Sequence, residues 1–156
     1  MNEHKMRRID RELSLDDAKI ILQNGSYGVL STIGADGYPY GIPVNYAYDG
    51  EKIYFHCAKN LGHKQDNIKF SDKVSFVVVT KDDVKPEKFT TGYESAVVFG
   101  TVQKNDDKKQ YALELLIEKY SPTFIKEGKQ LIAESAKATD IFEITIQKLS
   151  GKANRK

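Results

Sequence analysis

The chain has 156 residues, with 24 Lys and Arg against 22 Asp and Glu for a net charge of +2. That length predicts one domain spanning residues 1–156, and a charge this small and this dispersed argues against the strongly basic face of a nucleic-acid-binding protein. Hydrophobic residues make up 40% and charged residues 29%, enough for one core, while no apolar run approaches the ~20 residues that span a bilayer and the start, MNEHKMRRIDREL, has no apolar signal segment, so no membrane partner and a cytoplasmic location are expected.

Residues 1–13 read as an amino-terminal arm. A helix is predicted from Leu15 to about Gln23, with Ser14 as its cap, Asp17 at the capping-box position and Gly25 ending it in a left-handed conformation. Its apolar stripe is Leu15, Ala18, Ile21 and Leu22. Then comes antiparallel punctuation: YGVLSTI, a turn at Ala35-Asp36-Gly37, YPYGIPVNYAYD, an Asp49-Gly50 turn of type I′, and EKIYFHCA. In the second of these strands Ile42, Val44, Tyr46 and Tyr48 share one face, and Pro39 and Pro43 remove ladder donors, which suits an edge.

A short helix follows over Gly62 to Phe70, then strands at 73–81 and 95–103. The polar, Pro86-containing stretch from Asp82 to Gly92 reads as a loop. Asp106 to Tyr120 has helical spacing, Leu131 to Lys137 a further short helix, and 140–149 is the last strand, followed by a frayed basic tail over 150–156. Hairpins join the first three strands, so a doubly wound parallel sheet is excluded. The expected fold is mainly β with α, a six-stranded antiparallel split barrel with flanking helices.

The common catalytic fingerprints are absent: no GxGxxG, Walker A, HExxH or GxSxG occurs. His4, His56 and His63 are not at zinc spacing, so no metal site is expected. Cys57 is the one cysteine, which excludes an internal disulfide; alone it reads as a small buried apolar residue. The informative stretch is IYFHCAKNLGHKQDNI, Ile53 to Ile68. There a strand ends in His56 and Cys57, and a helix opens on His63 and Lys64. Backbone N–H groups at a helix start attract a phosphate, and Lys64 adds a full charge at the same place, unless it is simply a solvated lysine. His56 alternates with Phe55 and Cys57; if those face the core, it faces a groove or a subunit interface. Tyr93, Glu94 and Ser95 stand at the entrance of an apolar strand, and Gly100 suggests a bulge or a close backbone approach. Met6, Arg7 and Arg8 either supply further phosphate charge or decorate an exposed arm.

In this order and spacing RRIDREL, GVLSTIGADGYPYGIPVNYAYDGEKIYFHCAKNLGHKQDNI, KVSFVVV and YESAVVFG resemble the split-barrel flavoproteins related to pyridoxamine 5′-phosphate oxidase, with the Nim-type nitroimidazole-resistance branch nearest. The resemblance covers about residues 6 to 121. It implies a homodimer holding FMN between its subunits. The strand matching Pro43, Val44, Asn45 and Tyr46 would line the flavin ring, and the strand end matching Phe55, His56, Cys57 and Ala58 would run beside it. The loop and helix matching His63 and Lys64 would hold the phosphate, while Tyr93 and Ser95 would come from either subunit. Two departures stand out. The chain has no Trp and ends in LSGKANRK, unlike the substrate-holding tail of the oxidases of the vitamin phosphate, and Glu94 stands where many relatives carry a basic residue. The resulting expectation is an FMN-dependent oxidoreductase acting on a small molecule, a nitroaromatic reductase in the first instance, with His56 as proton donor. The alternative is a non-catalytic flavin- or haem-binding protein with His56 or His63 as axial ligand.

Overall fold

In the computed structural model, which describes residues 4–155, the first helix starts where its sequence predicts. The Ser14 hydroxyl oxygen accepts from the N–H of Asp17 at 3.1 Å and its proton goes to the Asp17 carboxylate, so α1 spans Leu15–Asn24. Ala18, Ile21 and Leu22 are buried, whereas Leu15 stays exposed. Gly25 is extended at φ −65°, not left-handed. It is needed for space instead: a Cβ there would collide with Val78 and the Tyr46 hydroxyl.

Among the described residues seven strands form one antiparallel sheet: β1 Gly28–Ile33, β2 Pro39–Val44, β3 Ala47–Tyr48, β4 Lys52–Ala58, β5 Lys73–Lys85, β6 Thr90–Lys104 and β7 Thr139–Asn154. Their order is β2-β1-β5-β6-β7-β4-β3. The count exceeds the expected six because the second predicted strand breaks at Asn45-Tyr46, giving β2 at one edge and β3 at the other. Only two residues separate these edge strands, so Val44 and Ala47 lie at most about 11 Å apart. The sheet must therefore roll up, joined at its seam by main chain rather than by a hydrogen-bonded ladder, which is a split barrel. The break is stapled from outside: the Tyr46 N–H donates to the Tyr120 hydroxyl at 3.0 Å, and the Tyr120 hydroxyl reaches the Ser26 carbonyl at 2.7 Å. The prolines of β2 do lie on an edge strand, as expected.

Leu30, Tyr46, Ile53, Phe55, Phe76 and Ile144 fill the barrel with no more than trace exposure. Phe55 stacks on Phe142 at 5.5 Å between ring centroids, and Tyr46 meets Phe76 edge-on at 5.0 Å. Gly100 sits where the β6–β7 register slips after Phe99, and a Cβ on it would strike the Thr145 carbonyl. Gly100→Ala is therefore expected to cost about 1–3 kcal/mol, read as a fall of several degrees in the thermal unfolding midpoint by circular dichroism.

Other expectations change. Asp82–Lys85 and Thr90–Gly92 are not loop; they continue the β5–β6 ladder to Lys85↔Thr90, closed by a 3₁₀ turn at Pro86–Lys88. The turn after Tyr48 has positive φ only at Gly50, and the Asp49 carboxylate accepts from the N–H groups of Glu51 and Lys52 at 2.9 and 2.8 Å, so it is not type I′. The helix expected at 131–137 is α4, Ile125–Ser135, packed on α3, Lys109–Tyr120. Gly128, a poor helix former, concealed it; a Cβ there would press on Ile117, so the glycine permits close helix contact. Residues 150–154, expected to fray, extend β7 and pair with Val97 through Tyr93 on β6. The remaining helix, α2, is His63–Phe70. Among the described residues no helix is long and apolar enough to cross a membrane.

Candidate functional site

Alternation along β4 places Ile53, Phe55 and Cys57 in the barrel core and turns His56 to the outer face. Helices α3 and α4 cover that face, and between helices and sheet lies a cavity of about 470 Å³. Its sheet side carries Pro43, Val44 and Asn45 from the β2 end, His56 from β4, and Lys64 from the first turn of α2. Its helix side is mostly apolar, with Leu113, Leu116 and Ile117 from α3 and Leu131 and Ile132 from α4. The size and the pairing of an apolar wall with a few convergent polar groups are those of a small-molecule site.

The charges are one-sided. His56 keeps part of its ring exposed, but partial desolvation in the cavity lowers its pKa, and the nearby Lys64 ammonium lowers it further. The imidazole is therefore neutral at pH 7 and Lys64 supplies the positive charge on the sheet side. The loop that aims Lys64 is tightly held. Asn60 and Gly62 take positive φ, 53° and 114°. The Asn60 N–H donates to Asp140 Oδ2 at 2.8 Å, and the Gln65 amide donates to the carbonyls of Ala58 and Leu61 at 2.6 and 3.2 Å.

Sequence reasoning missed Gln65 and Asp140, both buried. Gln65 ties down the loop carbonyls and does not cap α2, so no local motif marks it, and Asp140, opening an apolar strand, offers none either. Burial alone would push the Asp140 carboxyl up, but the Lys104 ammonium at 2.7 Å and the Asn60 N–H outweigh it and hold the carboxyl below its usual range. A carboxyl depressed in the folded state adds stability above the unfolded value near 4, and loses it as pH falls below that. Thermal melts from pH 7 to pH 3 should show that acid loss, and Asp140→Asn should be less stable at pH 7 with a shallower fall.

The other candidate residues lie elsewhere. Tyr46 is in the core and donates its hydroxyl to the Leu22 carbonyl at 2.6 Å. Phe55 is in the core, as is Cys57, whose thiol is pushed up by burial, partly countered by Lys64 and Gln65. Ala58 ends β4 with its carbonyl taken by Gln65. His63 is exposed and lies against Tyr40, 4.2 Å between ring centroids with the planes tilted by 36°. Tyr93 and Ser95 are on β6, opposite Asn154 and Lys152, and do not line this cavity.

A family model described as pyridoxamine 5′-phosphate oxidase matches residues 14–153, nearly the whole of this fold. The chain belongs to the pyridoxamine 5′-phosphate oxidase family. A family relative in Streptomyces rimosus, a 5a,11a-dehydrotetracycline/5a,11a-dehydrooxytetracycline reductase, is 33% identical over 85 residues, which is 53% of this chain and 57% of that protein. The chain is thus matched along little more than half of that relative's length. Among solved structures, a candidate 5-nitroimidazole antibiotic resistance protein from Bacteroides thetaiotaomicron aligns with a TM-score of 0.75 at 14% identity, covering 98% of this chain and 96% of that one. A flavocytochrome from Azotobacter vinelandii aligns at 0.83 and 17% identity, covering 98% and 73%. At these identities the alignments establish the shared split-barrel fold.

Proposed function

We propose that the cavity is an FMN site and that the protein is a homodimeric FMN-dependent oxidoreductase of electron-poor small molecules, nitroaromatic compounds first among them. The observation that carries this reading is that Pro43, Val44, Asn45, His56 and Lys64, far apart in sequence, line one cavity. The donor set fits the group. Lys64 and the start of α2 suit a phosphate, the free edge of β2 offers main-chain groups to the polar rim of a flavin ring, and the leucine-rich helix wall suits its hydrocarbon rim. Bound FMN would supply the two-electron chemistry.

The chain's own part is to hold, orient and shield. Lys64 would hold the phosphate end, and Pro43–Asn45 would lie along the ring. The wall of α3 and α4 keeps water from one side. His56 Nδ1 or Nε2, neutral at pH 7, lies within the same cavity to hold a substrate or pass it a proton taken from solvent.

A second subunit is supported by the outer face of the sheet. Val29 lies opposite Val77, Val77 opposite Val97, and Val29 also opposite Pro43. This apolar row is not part of the barrel core and runs into the cavity at Pro43. Tyr93 and Ser95 follow the same alternation on β6 as Val97, so they face outward with it. A partner seated on this row brings its own Tyr93 and Ser95 to the cavity mouth. The reductase relative favours reduction over simple storage. The absorbance spectrum of the purified protein, followed by anaerobic assay with reduced nicotinamide and a nitroimidazole, tests the reading. A flavin band and nitro-group reduction are expected; a haem Soret band, or flavin with no reducible turnover, would overturn it in favour of a binding protein.

A further inference from the structure

Helix α3 ends on two side chains that reach into the break between β2 and β3. The Tyr120 hydroxyl oxygen accepts from the Tyr46 N–H at 3.0 Å, and its proton faces the carbonyls of Ser26 at 2.7 Å and Tyr46 at 3.0 Å. Tyr120 and Asn45 both line the main cavity, so the peptide that Tyr120 grips joins a cavity residue, Asn45, to a core residue, Tyr46. Beside it the Lys119 ammonium lies over the Tyr46 ring, 3.7 Å from the centroid, and 5.4 Å from the centroid of Tyr120. Its nitrogen is shielded from water and has no hydrogen-bond partner among the described residues. No opposite charge answers it either. The elements packed on α3 include α4, β3, β4 and β7. Of the acids on or beside them, Glu143 and Asp140 are paired with Lys52 and Lys104, Asp49 accepts from the N–H groups of its own turn, and Glu127 and Glu134 on α4 are exposed, as is Glu118 on α3 itself. Lys64 acts on His56. Tyr46 and Tyr120 are the titratable groups that face the ammonium, and desolvation is the one cause acting on it, lowering its pKa to about 8.

We infer that Lys119 and Tyr120 are a positioning pair that locks the Asn45–Tyr46 peptide, and with it one wall of the main cavity, in a proton-dependent way: the neutral amine stays seated on Tyr46, and protonation drives it toward solvent and loosens the seam. The attraction of an aromatic face for a cation is smaller than the cost of an ion buried without a partner, so the seat favours the uncharged amine. Lys119 as a whole is only half-buried, and a change of rotamer on its long stem carries the ammonium to water. Tyr120, the next residue on the same helix end, then loses the packing that holds its hydroxyl on the Tyr46 N–H. The pair acts on the cavity through Asn45 and touches no reacting atom. The lock belongs to the seam and does not depend on what the cavity holds; its effect on FMN release rests on the flavin reading above.

The test is hydrogen exchange of the Tyr46 N–H in the ligand-free full chain, followed by NMR and expressed as protection relative to an unfolded chain at the same pH. With the amine at about 8 when seated against an ordinary 10.5 in water, linkage predicts that protection rises about tenfold from pH 6.5 to pH 9, while amides of the β6–β7 ladder change less than threefold. Lys119→Met, which takes no proton, should show the high protection at both pH values, and Lys119→Arg, charged at both, the low one. Circular dichroism confirms that each variant is folded. The thermal midpoint of Lys119→Met should exceed that of wild type at pH 7, and the gap should close as pH rises through 8 toward 10.5, where the wild-type amine is neutral in both states. With FMN loaded, its release should slow over the same pH interval severalfold more in wild type than in Lys119→Met. A protein that binds no FMN yet shows the exchange pattern keeps the lock and removes the flavin reading alone. Protection at Tyr46 that is indifferent to pH, or that changes equally in wild type and Lys119→Met, overturns the lock; FMN release with the same pH dependence in both proteins overturns its hold on the cavity.

Discussion

Lys64→Ala is expected to weaken FMN binding by about 10- to 100-fold while the protein remains folded. Lys64 is a half-buried cation on the sheet side of the cavity, and charge-assisted hydrogen bonds of this kind contribute about 1.5–3 kcal/mol. The start of α2 keeps its backbone donors in the variant, so binding should be reduced, not abolished. Lys64→Arg should retain most of the affinity, since the charge stays. Quenching of flavin fluorescence on titration reads all three proteins. Equal affinity for wild type and Lys64→Ala would remove the phosphate from this end of the cavity.

A larger effect is expected from an acidic residue in the outward valine row. Val77 is flanked directly by Val29 on β1 and Val97 on β6. In the proposed dimer a carboxylate at Val77 or Val97 would be buried without a partner, and twofold symmetry would place it there twice. The penalty is several kcal/mol per ion, more than most interfaces of this kind can absorb. Val77→Asp and Val97→Asp should therefore sediment as the 17.6 kDa chain, where wild type sediments at twice that mass. Flavin affinity should fall with them, because Tyr93 and Ser95 of the partner leave the cavity mouth. A wild-type monomer that retains tightly bound flavin would contradict the shared site, and so would an aspartate variant that stays dimeric.

What could be read in the chain beforehand follows a physical line. Ser14 and Asp17, the prolines of β2 and the slip at Gly100 were legible because each acts through local chemistry: a cap, a missing donor, a backbone that must pass close to a carbonyl. The far end of the β5–β6 ladder was not. Lys81 to Val84 are exposed, so no face is buried and no alternation marks them, and a paired strand looks like a polar loop. The end of β7 failed for the opposite reason: Gly151, Ala153 and Asn154 are buried, Gly151 against Leu13 and Ala18, yet their small or polar side chains carry no hydrophobic signal. At the candidate site, Lys64 and His56 were visible as chemistry on a helix start and a strand end. The wall built by α3 and α4 was not, since nothing local says which strand a helix will cover. Nor was Asp140, whose task of fixing Asn60 spans 80 residues of chain.

On the proposed reading the flavin lies in the cavity between β2, β4, α2 and the α3–α4 pair. The most direct measurement is a crystal structure of the protein grown with excess FMN. The ring is expected against Pro43–Asn45 with His56 beside it and the tail running toward Lys64. Density for FMN on another surface, with this cavity holding only water or filled by the chain's own side chains, would contradict it.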